Sequence, residues 1–128
     1  MKYAIQYDVF GEHKVKVLED GKIEVIPDPV LTPERIDAEC DAVMGSIWSI
    51  CKDISNRGRA VPPTKTELEH FFQPKAFKKL CKKGLIKEQL IALRDKKGVN
   101  PGSRNCVLLT ELGRVYCKTY FEAAHDSI

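Results

Sequence analysis

Pro74-Lys75-Ala76-Phe77-Lys78-Lys79-Leu80-Cys81-Lys82-Lys83-Gly84-Leu85-Ile86 is the stretch on which the reading of this chain turns. Ala76, Phe77, Leu80 and Cys81 recur at helical spacing and form one apolar stripe. Lys75, Lys78, Lys79, Lys82 and Lys83 fall three or four apart and cover the remaining surface, so most of them share one face. Pro74 suits a first helical position and Gly84 a helix stop. Leu85 to Leu93 then reads as a strand, Arg94 to Asn105 as a loop holding Gly98, Pro101 and Gly102, and Cys106 to Leu109 as the return strand. Residues 75–97 carry nine Lys or Arg against two acids, so the helix and the hairpin are both basic.

Working outward, Thr110 caps a last helix with Leu112, Tyr116, Thr119 and Tyr120 on one face, while Val115 and Phe121 imply a second apolar contact. Upstream, Thr64 or Thr66 caps a short helix whose Leu68, Phe71 and Phe72 face inward, and Arg59 to Pro63 is a loop. A long helix opens at Thr32-Pro33-Glu34, runs through Ile36, Cys40, Val43, Met44, Ile47, Ile50, Cys51 and Ile54, and stops at Asn56-Arg57-Gly58. Within it, Gly45 either kinks the helix or lets another backbone approach.

The first 26 residues alternate as β-strands. Tyr3, Ile5, Tyr7 and Val9 make one apolar set; Val15 and Val17, then Ile23 and Val25, make another. A two-residue Asp20-Gly21 loop would pair Val17 with Glu24. A three-residue Glu19-Asp20-Gly21 loop, with Gly21 left-handed, pairs Val17 with Ile23 and Val15 with Val25, and only this register gathers the four apolar residues on one face. Pro27 and Pro29 end the resulting three-stranded meander.

Composition sets the outer limits. The 128 residues are 43% hydrophobic and 30% charged, enough to build the core of an ordinary globular domain. No 18-residue apolar run marks a membrane span, and the N-terminus lacks the apolar stretch of a secretory signal. The five cysteines show no C-x-x-C pair, and their odd count fits reduced, packed thiols and a cytoplasmic setting. Cys81 beside Lys82 and Lys83 has the neighbours of an activated thiol, but burial in the helix stripe makes it inert on our reading. His13, His70 and His125 have no ligand spacing, so neither metal nor cofactor is expected. No phosphate-binding glycine loop, nucleophile elbow or carboxylate pair points to catalysis, and an enzyme is the least favoured class. Residues 1–56 balance to −5 and residues 57–128 to +8, the asymmetry of a chain whose C-terminal part meets a polyanion.

The order helix, short helix, basic helix, Gly84-Leu85-Ile86, hairpin, Leu109-Thr110-Glu111-Leu112-Gly113-Arg114, helix resembles the winged-helix domains of MarR- and PadR-type transcriptional regulators. The Leu80 to Ile86 stretch matches the close of their recognition helix, and Arg94-Asp95-Lys96-Lys97 the start of their wing. The resemblance covers roughly residues 33–124 and implies a winged helix-turn-helix over residues 31–128; the three-stranded β-meander over residues 1–30 has no counterpart in those regulators, and the two together make an α+β fold. Only eighteen positions separate Thr66 from Gly84, which leaves a reading helix of about ten residues. The function implied is double-stranded DNA binding by a transcriptional regulator or DNA-organising factor, with Lys75, Lys78, Lys79, Lys82, Lys83, Arg94, Lys96, Lys97 and Arg104 at the interface. Lysine has no fixed fork, so the helix suits phosphate contact, whereas Arg94 and Arg104 suit base edges or a minor groove. A homodimer is a further expectation of the resemblance. The competing reading is a winged-helix protein-interaction module, with the acidic N-terminal half available to a protein partner.

Overall fold

A computed structural model describes residues 2–29, 32–59, 61–69, 74–92 and 103–122. Strands β1 (Lys2–Asp8), β2 (Gly11–Val17) and β3 (Ile23–Val25) form one antiparallel sheet in that order. Helices α1 (Ala38–Asn56), α2 (Lys65–Glu69) and α3 (Pro74–Lys82) follow, then the hairpin β4 (Ile86–Ala92) and β5 (Ser103–Leu109), then α4 (Glu111–Cys117). The fold is mixed α+β. No helix among the described residues is long and apolar enough to cross a membrane.

The core lies where α1, α3, the hairpin and α4 meet, built on Met44, Ile47, Leu80, Ile86, Leu109 and Tyr116. The meander enters it through its first turn. Val9 is buried there, and Phe10 packs on Trp48 with ring centroids 5.2 Å apart. Gly11 makes that entry possible: its φ is +102°, and a Cβ would sit 2.0 Å from the Leu109 carbonyl oxygen.

The β2–β3 register is the expected one, Val17 opposite Ile23 and Val15 opposite Val25, closed by a Gly21 amide that donates to the Leu18 carbonyl. The two apolar sets nevertheless lie on opposite faces. Tyr3, Ile5 and Tyr7 stand across from Lys16, Lys14 and Glu12, whereas Ala4 stands across from Val15. The sheet therefore carries apolar groups on both sides.

Helices α1 and α3 both end as their glycines require. After α1 the Gly58 amide donates to the Ser55 carbonyl and the Arg59 amide to the Ile54 carbonyl; after α3 Gly84 and Leu85 repeat the pattern on Cys81 and Leu80. This is the paired capping geometry that a left-handed glycine makes available. The start of α1 corrects the sequence reading. It begins at Ala38, not after Thr32, because the Asp37 carboxylate accepts from the Cys40 amide at 2.9 Å and the Ile36 amide donates to the Tyr116 hydroxyl at 3.2 Å. Residues 33–36 become a strap across α4, with the Tyr120 hydroxyl donating to the Pro33 carbonyl. Gly45 faces the ring of Phe121 at ordinary contact distance, so a side chain rather than a backbone occupies the space above it.

Three further differences involve the C-terminal half. Strand β5 begins at Ser103, three residues before the expected start, paired through Ala92 opposite Ser103. The segment read as a plain loop before α2 pairs with β5: Thr64 bridges Cys106, and the Val107 amide donates to the Pro63 carbonyl at 2.9 Å. Finally, α4 widens into a π-helical turn over Lys118–Glu122, so Tyr120 and Phe121 both pack on Tyr116, at 4.7 and 5.9 Å between centroids. Thr64, not Thr66, caps α2. Its hydroxyl accepts from the Glu67 amide, and Glu67 accepts from the Thr64 amide in return.

Arg114 is the one buried charged residue of the described chain, 1% exposed. Its guanidinium donates to both Asp28 oxygens (2.9 and 2.8 Å) and to the carbonyls of Phe10 and Leu109. Burial alone would raise the Asp28 pKa, but the Arg114 hydrogen bonds and charge overcome this and hold it below its usual 3.8. Glu67, bonded by Arg59 and the Thr64 amide, is lowered further, to about 2. Depressed carboxyl pKa values contribute stability above about pH 4.5, and that stability is lost as pH falls through the folded values.

Asp28→Ala leaves a buried guanidinium unpaired and is expected to cost about 3–5 kcal/mol in denaturant unfolding. Asp28→Asn should also flatten the acid side of the stability profile. A wild-type pH dependence in the Asn variant would show that this carboxylate is not coupled to folding.

Candidate nucleic-acid interface

Helix α3 is short because Pro74 opens it and Gly84 closes it. Ala76, Phe77 and Leu80 are buried against the core, which fixes the rotation of the helix. At 100° per residue, Lys75, Lys78, Lys79 and Lys82 then fall within an arc of about 100° on the far side, with Lys83 next to it. All five are exposed. Among the described residues none of the five has a carboxylate within ion-pair distance.

The flanks of this face differ. On one side Asp37 sits near Lys79 and Lys83. Its carboxyl pKa is lowered first by the Cys40 amide, then by these two ammonium groups. On the other side Lys78 and Lys82 border a groove of about 710 Å³ floored by Pro74, Phe77 and Cys81. An ion pair between Lys65 and Glu88, 2.9 Å, stands at its edge. Lys75, Lys78 and Lys82 are thus the lysines of α3 that do not act on Asp37.

Arg104 lies on β5, exposed, in a separate shallow cleft of about 800 Å³ with Arg59, Lys65 and Thr66. Lys65 lines both depressions, so α2 joins the α3 face to the Arg104 cleft. Arg94, Lys96 and Lys97 lie outside the described residues. The sequence reading passed over Lys65 and Arg59. The Thr64-x-x-Glu67 capping pattern was the available signal, because it places Lys65 in the first turn of α2 and Glu67 within reach of Arg59, at 2.7 Å.

The motif Leu109 to Arg114 proves to be a joint rather than a contact surface. The Thr110 hydroxyl accepts from the Gly113 amide and donates to the Gly84 carbonyl, tying the start of α4 to the end of α3. Gly113 lies so close to the Leu85 carbonyl oxygen that a Cβ would be 2.0 Å from it. The exposed lysine face inherits its position from these contacts.

None of the thiols is activated by its surroundings. Burial raises the pKa of Cys81, Glu88 raises it further, and Lys65 only partly opposes them, so the neighbouring lysines do not activate it. Cys40, Cys51, Cys106 and Cys117 are buried, with Cys51 pushed up to about 12. Among the described residues no group of three His, Cys, Asp or Glu side chains could hold a metal ion.

With a thiol reagent at neutral pH, only Cys81 is expected to react in the native protein, and slowly, the other four appearing on unfolding. Rapid modification of Cys81 at neutral pH would contradict the raised pKa.

No family model matches this chain, no curated protein matches it, and no solved structure does.

Proposed function

We propose that the chain is a small winged-helix DNA-binding protein, a transcriptional regulator or DNA-organising factor of the cytoplasm, that lays α3 against the phosphates of a duplex. The observation that carries this reading is the α3 surface: five exposed lysines, no ion-pair partner among the described residues, and an apolar stripe that sets their direction. The winged-helix reading draws support from the order of α1, Thr64 bridge, α2, α3 and the β4–β5 hairpin, with the bridge supplying a third line of pairing beside β5.

Phosphate is the natural ligand of such a face. Each lysine that neutralises one releases a condensed counterion, and this term dominates sequence-independent affinity. Exposed groups on α3 are Pro74 and lysines, with neither an amide nor a guanidinium fork to read base edges. Arg104 is the described residue best suited to a groove contact, and Arg94, Lys96 and Lys97 belong to the same proposal.

A second reading follows from the groove between α3 and β4. Its floor of Phe77, Cys81 and Pro74, rimmed by Lys78 and Lys82, suits an acidic segment of a protein partner that carries an apolar side chain. Such a partner would bind in part by covering Pro74 and Cys81, which are still exposed or half-exposed, so its affinity would survive high salt better than that of DNA.

Fluorescence anisotropy with a duplex in rising salt separates the two. DNA docking through three to five lysines predicts a log–log slope of about −2.7 to −4.5. Lys75→Glu with Lys78→Glu and Lys82→Glu should abolish binding and leave the melting temperature within a few degrees, since all three side chains are exposed. No binding at low salt, or binding unchanged in the triple variant, rejects the reading.

A further inference from the structure

Strand β1 has the apolar alternation of a half-buried strand, yet every residue from Lys2 to Tyr7 is exposed. Tyr3, Ile5 and Tyr7 are 67%, 52% and 37% exposed. Among the described residues the backbone of β1 pairs in a ladder with β2 alone, which leaves its outer edge as the rim of the sheet, while the Tyr7 hydroxyl accepts from the Gln89 side chain of β4. The opposite rim is guarded. Strand β3 has three residues and runs into Pro27 and Pro29. Strand β1 has seven residues, no proline and no internal charge, which is the profile of an edge that pairs with another strand.

We propose that this edge joins two copies of the chain, β1 against β1 and antiparallel, about a two-fold axis at Ile5. The strand is complementary to itself in that register. Ile5 meets Ile5 of the partner subunit, Tyr3 meets Tyr7 of the partner subunit, and Ala4 meets Gln6 of the partner subunit. Lys2 meets Asp8 of the partner subunit at each end, so the strand's two charges pair with opposite sign. Asp8 has room for this contact. The Phe10 amide and the His13 ring both use its Oδ1, and the side chain is 49% exposed. A shift of one residue in either direction turns the apolar stripe against the alternate face and separates the end charges, which selects this register over its neighbours. Pairing two identical edges closes the assembly at a dimer, with no free long edge left on either sheet. The inference stands apart from the nucleic-acid reading, because it is measured without DNA.

Sedimentation velocity of the full chain at about 100 μM is expected to show a dimer that dissociates on dilution. Ile5→Lys, a change at an exposed position, sets two like charges opposite each other and should weaken the dimer by at least about 10-fold with the circular dichroism spectrum unchanged. Register is tested separately by Ile5→Cys in a Cys81→Ser background, which removes the one half-exposed native thiol. Ile5→Cys should cross-link to itself on mild oxidation. Ala4→Cys should not, because its own copies stand about 7–8 Å apart, beyond disulfide reach. A monomer at this concentration, a dimer indifferent to Ile5→Lys, or cross-linking at Ala4 but not at Ile5 would each overturn the proposal.

Discussion

A guanidinium cannot be taken out of water unless nearly every donor finds an acceptor, and Arg114 meets that condition only in one arrangement of the chain. Its acceptors come from three places: the turn between β1 and β2, the link between β3 and α1, and the end of β5. The buried charge therefore specifies how the meander sits on the rest. It also fixes the first turn of α4. That turn holds Gly113 against Leu85 and Thr110 against Gly84, and Gly84 closes α3. The orientation of the lysine face is thus linked, through the Gly113–Leu85 and Thr110–Gly84 contacts, to the Arg114–Asp28 ion pair.

Much of this was legible in local pattern. The helix ends at Gly58 and Gly84, the β2–β3 register and the outward direction of the α3 lysines all follow from turn chemistry and periodicity, which need no distant information. The misread features depend on distant partners. The start of α1 is displaced because a hydroxyl 80 positions away captures the Ile36 amide. The Thr64–Cys106 bridge is a single pairing and has no period to detect. Ser103-Arg104-Asn105 joins β5 without apolar alternation, because its pairing is decided by Ala92 to Leu90 across the hairpin. Similarly, Asp37 beside Lys79 and Lys83 could not be read from positions forty apart, and it is the feature that divides the basic face into two unequal flanks.

The basic face fits backbone contact better than base reading. Nine residues give α3 two and a half turns, and its buried stripe consumes one side. What remains is a row of flexible ammonium groups, each able to meet a phosphate and none held in a fork. Specific recognition on such a scaffold would fall to the hairpin, where Arg104 stands apart from α3 across Lys65. The same chain exposes an apolar strand on the meander, so the two proposed contacts use separate surfaces.

The most direct test of the central claim, that the α3 face is where polyphosphate docks, is an amide-resolved NMR titration of the native protein with a short duplex. The account predicts shifts concentrated on Lys75 to Lys83, strongest at Lys75, Lys78 and Lys82, with Glu34 to Asp41 little changed. Shifts centred on the meander, with α3 silent, would contradict it.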